Sequence, residues 1–157
     1  MRLLAFILAL LFPAFAPPAQ AAITRPGWVS QDTSKTYAQL IEAVKTAAAA
    51  NGMGVVTQAG PTGAAKARGV TIPGNRVIGL FNNFFAVRIL GLSTAAMIEA
   101  PIRIYITENP DATATLSYKT PSHVFAPYSD EGGAALQLAA EELDAIFSRI
   151  ATEAIEP

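Results

Sequence analysis

Between Pro101 and Thr120 two neighbouring segments alternate with period two, and this alternation constrains the fold more than any other feature of the chain. Ile102, Ile104 and Ile106 are interleaved with Arg103, Tyr105 and Thr107, and after Asn109-Pro110-Asp111 the residues Ala114, Leu116 and Tyr118 are interleaved with Thr113, Thr115, Ser117 and Lys119. Successive side chains of a strand point to opposite faces, so each segment has one apolar and one polar side. Asn, Pro and Asp are turn residues, and they join the segments into an antiparallel hairpin. Strands of this kind need cover on one face only.

The flanking sequence supplies the cover. Trp28 to Thr33 reads as a short strand. Ser34 and Thr36 compete to cap the helix that follows, and Thr36 has the better case because Gln39 completes a capping box. Tyr37, Leu40, Ile41, Val44 and Ala48 recur at helical spacing, and Asn51-Gly52 provides the stop. Met53 to Ala59 is β-like, Gly60 to Gly63 a loop, Ala64 to Arg68 one helical turn and Pro73-Gly74 a turn. Arg76 to Phe81 reads as a buried strand. Asn82 caps a helix over Phe84 to Leu90 that breaks near Gly91, and Ser93 caps a short piece ending before Pro101. Thr120 to Asp130 is expected to be a proline-containing loop. Ala134 to Ile155 is a long helix with Leu136, Ala140, Leu143, Ile146, Phe147 and Ile150 on its apolar stripe. The expected fold is α+β: an antiparallel sheet of about five strands with helices on one face, in the order β-α-β-β-α-β-β-α.

The first 21 residues read differently. Arg2 gives a positive start, Leu3 to Phe12 is unbroken apolar sequence, Pro13 and Pro17-Pro18 interrupt it, and Ala19-Gln20-Ala21 has the small-x-small pattern of a signal-peptidase site. These are the parts of a secretory signal. The apolar run falls short of the roughly 20 residues that span a bilayer. The expectation is cleavage near Ala22, a tether over 22–27, a single domain over 28–157, a periplasmic or secreted location, and no membrane attachment once the signal is removed.

Composition narrows the function classes. With no cysteine in the chain, thiol catalysis, thiolate metal sites and disulfides are excluded. The only histidine is His123, which excludes a multi-histidine metal centre within one chain. Without the leader, 10 basic and 12 acidic residues remain, a balance with no drive toward phosphate backbones, so no nucleic-acid partner is expected. Gly52-Met53-Gly54 begins like a dinucleotide fingerprint, but Thr57 replaces the third glycine and the segment follows a helix and precedes a strand. Gly60 to Lys66 lacks the spacing of a phosphate loop and the hydroxyl that would hold magnesium.

Several stretches together resemble the bacterial "domain of unknown function 302" family. They are the helix into Asn51-Gly52-Met53-Gly54-Val55, the strand Arg76 to Phe81 with Asn82-Asn83, the block Ile98 to Ile106, and Leu116 to Pro121. The resemblance covers roughly residues 28–150. It implies a TATA-box-binding-protein-like α+β fold and, in some members, dimers; the shared fold carries no implication of DNA binding. Family members usually show Asn-Pro where this chain has Asn82-Asn83. Many carry cysteines at the position of Phe81 and near Ile102, which are apolar here, so no thiol-dependent role transfers.

Candidate site residues fall in three places. Alternation puts Arg103, Tyr105 and Thr107 on one face, and Lys119 shares a face with Thr113, Thr115 and Ser117. If pairing brings these together, the sheet offers two cations, an aromatic ring and hydroxyls, a set suited to a small polar or anionic ligand because guanidinium forks carboxylates. The plain alternative is a solvated face, or one covered by a second subunit in a homodimer. Asn82 and Asn83 stand where a strand leads into a helix, either as an anion site on free N–H groups or as a helix cap. His123 is a lone histidine after Pro121, a ligand contact or a surface residue. Glu141, Glu142 and Asp144 read as a solvated helix face. No nucleophile elbow or base–nucleophile spacing is present, so no catalytic residue, metal or cofactor is expected. The reading is an exported small-ligand-binding or accessory domain. Its alternatives are an enzyme with a site around Asn82, Arg103 and His123, or a structural partner of an envelope protein.

Overall fold

The computed structural model describes residues 25–156. The expected leader, and residues 22–24 of the expected tether, lie outside them. Five strands form one antiparallel sheet in the order β1-β5-β4-β3-β2: β1 Trp28–Thr36, β2 Gly54–Ala59, β3 Asn75–Phe81, β4 Ile102–Glu108 and β5 Thr113–Lys119. β1 and β2 are the two edges, so α1 (Tyr37–Ala50), which links them, crosses the sheet and packs on β1, β2, β4 and β5. α3 (Asn83–Leu92) and the long α5 (Ser129–Ile155) lie in the same layer, and among the described residues no helix covers the opposite sheet face. A short α2 (Thr62–Ala67) sits in the β2–β3 connection with none of its residues buried.

Sequence accounts for each long element. Thr36 and Gln39 form the capping box of α1: the Thr36 N–H donates to Gln39 Oε1 at 2.9 Å, and the Gln39 N–H donates back to Thr36 Oγ1 at 3.4 Å. The α1 stripe Leu40, Ile41, Val44 and Ala48 is buried. In the sheet, Ile104 pairs with Tyr118 and Ile106 with Leu116, so both apolar sets face the helices. Ile78 and Leu80 of β3 join them. From α5 come Leu136, Ala140, Leu143, Phe147 and Ile150, and the Phe147 ring lies 5.7 Å from that of Tyr118 at a 47° tilt. Such tilted aromatic pairs are favoured geometries.

The segment expected to be a proline loop is instead helical. Pro121–Phe125 forms α4 and Ala126–Tyr128 a 3-10 turn, which runs on into α5. Proline is well placed at the first position of a helix, where its missing N–H is not needed. Thr120 Oγ1 caps the turn by accepting from the His123 N–H at 3.3 Å. α5 accordingly starts before Ala134, with a kink at Gly133 (φ 54°, ψ −151°), a conformation open to glycine and strained for other residues.

Candidate functional site

Sheet register decides which polar residues meet. Tyr105 stands opposite Ser117 and Thr107 opposite Thr115, and one step along the same register sets Arg103 beside Lys119. On the other side of β5, Trp28 of β1 is opposite Lys119 and Ser30 opposite Ser117. β3 adds Val77 opposite Tyr105 and Gly79 opposite Arg103. The open face therefore carries, from β1 across to β3, Trp28, Lys119, Arg103 and the bare backbone of Gly79 in one row. Ser30, Ser117, Tyr105 and Val77 form the next.

Over this surface lies a groove of about 280 Å³, lined chiefly by Trp28, Val77, Glu99, Arg103, Tyr105 and Lys119, with Ile102, Ser117, Tyr118 and Val124 completing the lining. Trp28 is 39% exposed, its ring shared by two cations: Arg25 Cζ is 5.6 Å and Lys119 Nζ 5.9 Å from the ring centroid. These are cation–π distances. Glu99, from the 3-10 turn Ala95–Glu99, borders the groove on the β4 side, and its Oε2 is 4.0 Å from Arg103 Nη2. The Tyr128 hydroxyl donates to Glu99 Oε1 at 2.8 Å. That hydrogen bond, aided by burial and by the charges of Glu99 and Glu131, holds the Tyr128 phenol above its ordinary pKa. Tyr118 is also raised, chiefly by burial and then by the charge of Asp144. Floor hydroxyls are tied inward: Asn75 Nδ2 donates to the Tyr105 hydroxyl, and the Ser30 and Ser117 hydroxyls are 3.0 Å apart.

Of the six residues singled out from sequence, the groove gathers Arg103, Tyr105 and Lys119. Asn82 borders a separate, smaller crevice with Met53, Phe81 and Phe85. Its side chain acts as the cap of α3, with Oδ1 accepting from the N–H groups of Phe84 (2.9 Å) and Phe85 (3.2 Å) and Nδ2 donating to the Gly52 carbonyl (2.8 Å). Asn83 is exposed in the first turn of that helix. His123 sits in α4 with its imidazole against Gly27, where no side chain would fit. Glu142 pairs with Arg88 of α3 at 2.7 Å, and Asp144 accepts the Ser122 N–H at 2.8 Å, so the acidic face of α5 braces neighbouring helices. Sequence reasoning missed Trp28 and Glu99. Glu99 carried no local signal, since it ends a 3-10 turn while Arg103 lies in β4 beyond Pro101; Trp28 became visible only through the pairing of β1 with β5.

A family model described as "Domain of unknown function DUF302" matches residues 29–152. No curated protein matches the chain significantly. Among solved structures, an uncharacterised conserved DUF302 protein from Bacillus stearothermophilus superposes with a TM-score of 0.69 at 17% identity, covering 83% of this chain and 97% of that one. At that identity the likeness speaks for the fold alone.

Proposed function

The chain belongs to the DUF302 family, whose function is unknown, and on that premise we propose that it is an exported binding domain for a small anionic molecule, held in the groove on its open sheet face. The observation that carries the reading is the side-by-side placement of Arg103 and Lys119. Like charges directly opposite on neighbouring strands are destabilising. Among the described residues Lys119 forms no ion pair, and Arg103 has only Glu99, at the 4.0 Å limit of one. Two cations lining one groove from neighbouring strands form a receptor for negative charge, and the Arg103 guanidinium matches a carboxylate in shape. Export is supported by the sequence of residues 1–21, and intact mass of the secreted product should show a chain starting near Ala22.

The test is Arg103→Ala combined with Lys119→Ala. Both side chains are exposed at the sheet surface, so the double variant should fold and melt at or slightly above the parent temperature, since the like-charge contact is removed. It should lose binding of acetate, benzoate and inorganic phosphate measured by calorimetry. Undiminished binding of those anions to the folded double variant would sink the proposal. A second subunit on the same face is the competing occupant, and sedimentation of the parent and the variant separates the two: a dimer that dissociates on the double substitution would make the groove an interface.

A further inference from the structure

Resting on that reading, we propose that the ligand is a monocarboxylate with an apolar, preferably aromatic, body of modest size, rather than an inorganic anion, a dianion or a sugar. The groove is divided by chemistry. Arg103 and Lys119 concentrate the positive charge in one row, while Trp28, Val77, the Tyr105 ring and Val124 supply apolar surface around them. A compact anion such as phosphate would satisfy the cations and leave that surface wet. An apolar body would cover it, gaining roughly 25 cal/mol for each Å² removed from water.

Two further observations narrow the class. Glu99 lines the same groove with its carboxylate near Arg103. A second negative charge on the ligand would meet it, whereas a single carboxylate can engage both cations and leave Glu99 to its bond with Tyr128. The floor hydroxyls are partly engaged: Tyr105 accepts from Asn75, and Ser30 and Ser117 share one hydrogen bond. Recognition of a polyhydroxylated ligand depends on many well-placed polar partners, and the floor offers few beside its apolar surface. The volume of about 280 Å³ corresponds to about nine waters at roughly 30 Å³ each. That is room for the body of a phenylalkanoate or a short fatty acid in a groove open to solvent on one side. Trp28 is the only tryptophan in the chain, so its fluorescence reports directly on this wall.

The experiment titrates the exported protein with 3-phenylpropionate, its uncharged amide, acetate and inorganic phosphate, followed by calorimetry and by Trp28 fluorescence. We expect 3-phenylpropionate to bind at least tenfold more tightly than the other three. Trp28→Ala should weaken 3-phenylpropionate about tenfold and leave acetate unchanged. If acetate or phosphate binds as tightly as 3-phenylpropionate, with sensitivity to Arg103→Ala and Lys119→Ala, the apolar body contributes nothing; this inference fails while the anion-binding reading stands. If the amide binds as well as the acid, or no anion shows that sensitivity, both fail.

Discussion

Pro101 lies against the bare Cα of Gly79: a Cβ added there would stand 2.7 Å from the proline Cγ and would also collide with Thr57 Oγ1. Gly79 is opposite Arg103 in the ladder. The segment from Glu99 to Pro101 can therefore lap onto the sheet and bring Glu99 to the edge of the groove only because position 79 has no side chain. Gly79→Ala should cost about 1–3 kcal/mol, the usual range for overpacking, read as a lower urea midpoint with unchanged slope. An unchanged midpoint would mean that Pro101 is free to move aside.

Leu143 is 2% exposed in the middle of the α5 stripe. An aspartate there would be an unpaired buried charge, costing several kcal/mol against a typical domain stability of about 5–15 kcal/mol. Leu143→Asp should leave the protein unfolded by near-ultraviolet circular dichroism, and Leu143→Ala should cost about 2–5 kcal/mol through cavity formation. A cooperative melt of the aspartate variant near the parent temperature would refute the helix–sheet packing.

The hairpin was legible from sequence because period-two alternation is local: burial of Ile102, Ile104, Ile106, Ala114, Leu116 and Tyr118 follows it directly. The Thr36 and Asn82 caps were legible for the same reason, their partners lying within three residues. The helical character of Pro121–Tyr128 was hidden, since proline signals a loop and a first helical turn equally well and only the capping bond from His123 N–H to Thr120 decides. Half of the groove was readable as the polar side of β4 and β5. The rest came from β1 and the 3-10 turn, brought in by strand order. Trp28 reaches Lys119 across most of the chain because β1 pairs with β5 rather than with β2, and no local pattern specifies that choice.

Glu142 gives a pH test of the α3–α5 contact. Its carboxyl is held below the ordinary carboxylate range, chiefly by the hydrogen bond from Arg88 Nη1 at 2.7 Å; desolvation opposes this, and the guanidinium charge adds a lesser lowering. A carboxyl depressed in the folded state binds its proton later than in the unfolded chain. Its contribution to stability is thus complete above the unfolded pKa and is lost as pH falls through the folded one. Arg88→Ala should raise the Glu142 midpoint toward its ordinary value in an NMR titration and should reduce the acid-side loss of stability. An unmoved Glu142 midpoint in that variant would show the pair to be unformed in solution. Both groups are on the surface, so the shift should shrink with added salt.

Asn82 separates a structural role from a binding one. Its side-chain bonds are internal: two N–H groups of α3 donate to Oδ1, and Nδ2 donates to the Gly52 carbonyl, tying the start of α3 to the end of α1. Removing the cap leaves those backbone donors to water, at about 0.5–2 kcal/mol. Asn82→Ala should therefore lower the melting temperature. Asn82→Asp should keep much of the cap, since an aspartate oxygen still accepts from Phe84 and Phe85 and its charge suits a helix N-terminus. Neither variant should alter 3-phenylpropionate binding beyond twofold under conditions where both are folded, because the groove is lined by other residues. A tenfold loss of binding in folded Asn82→Asp would place this residue in the site and shift the ligand toward the start of α3.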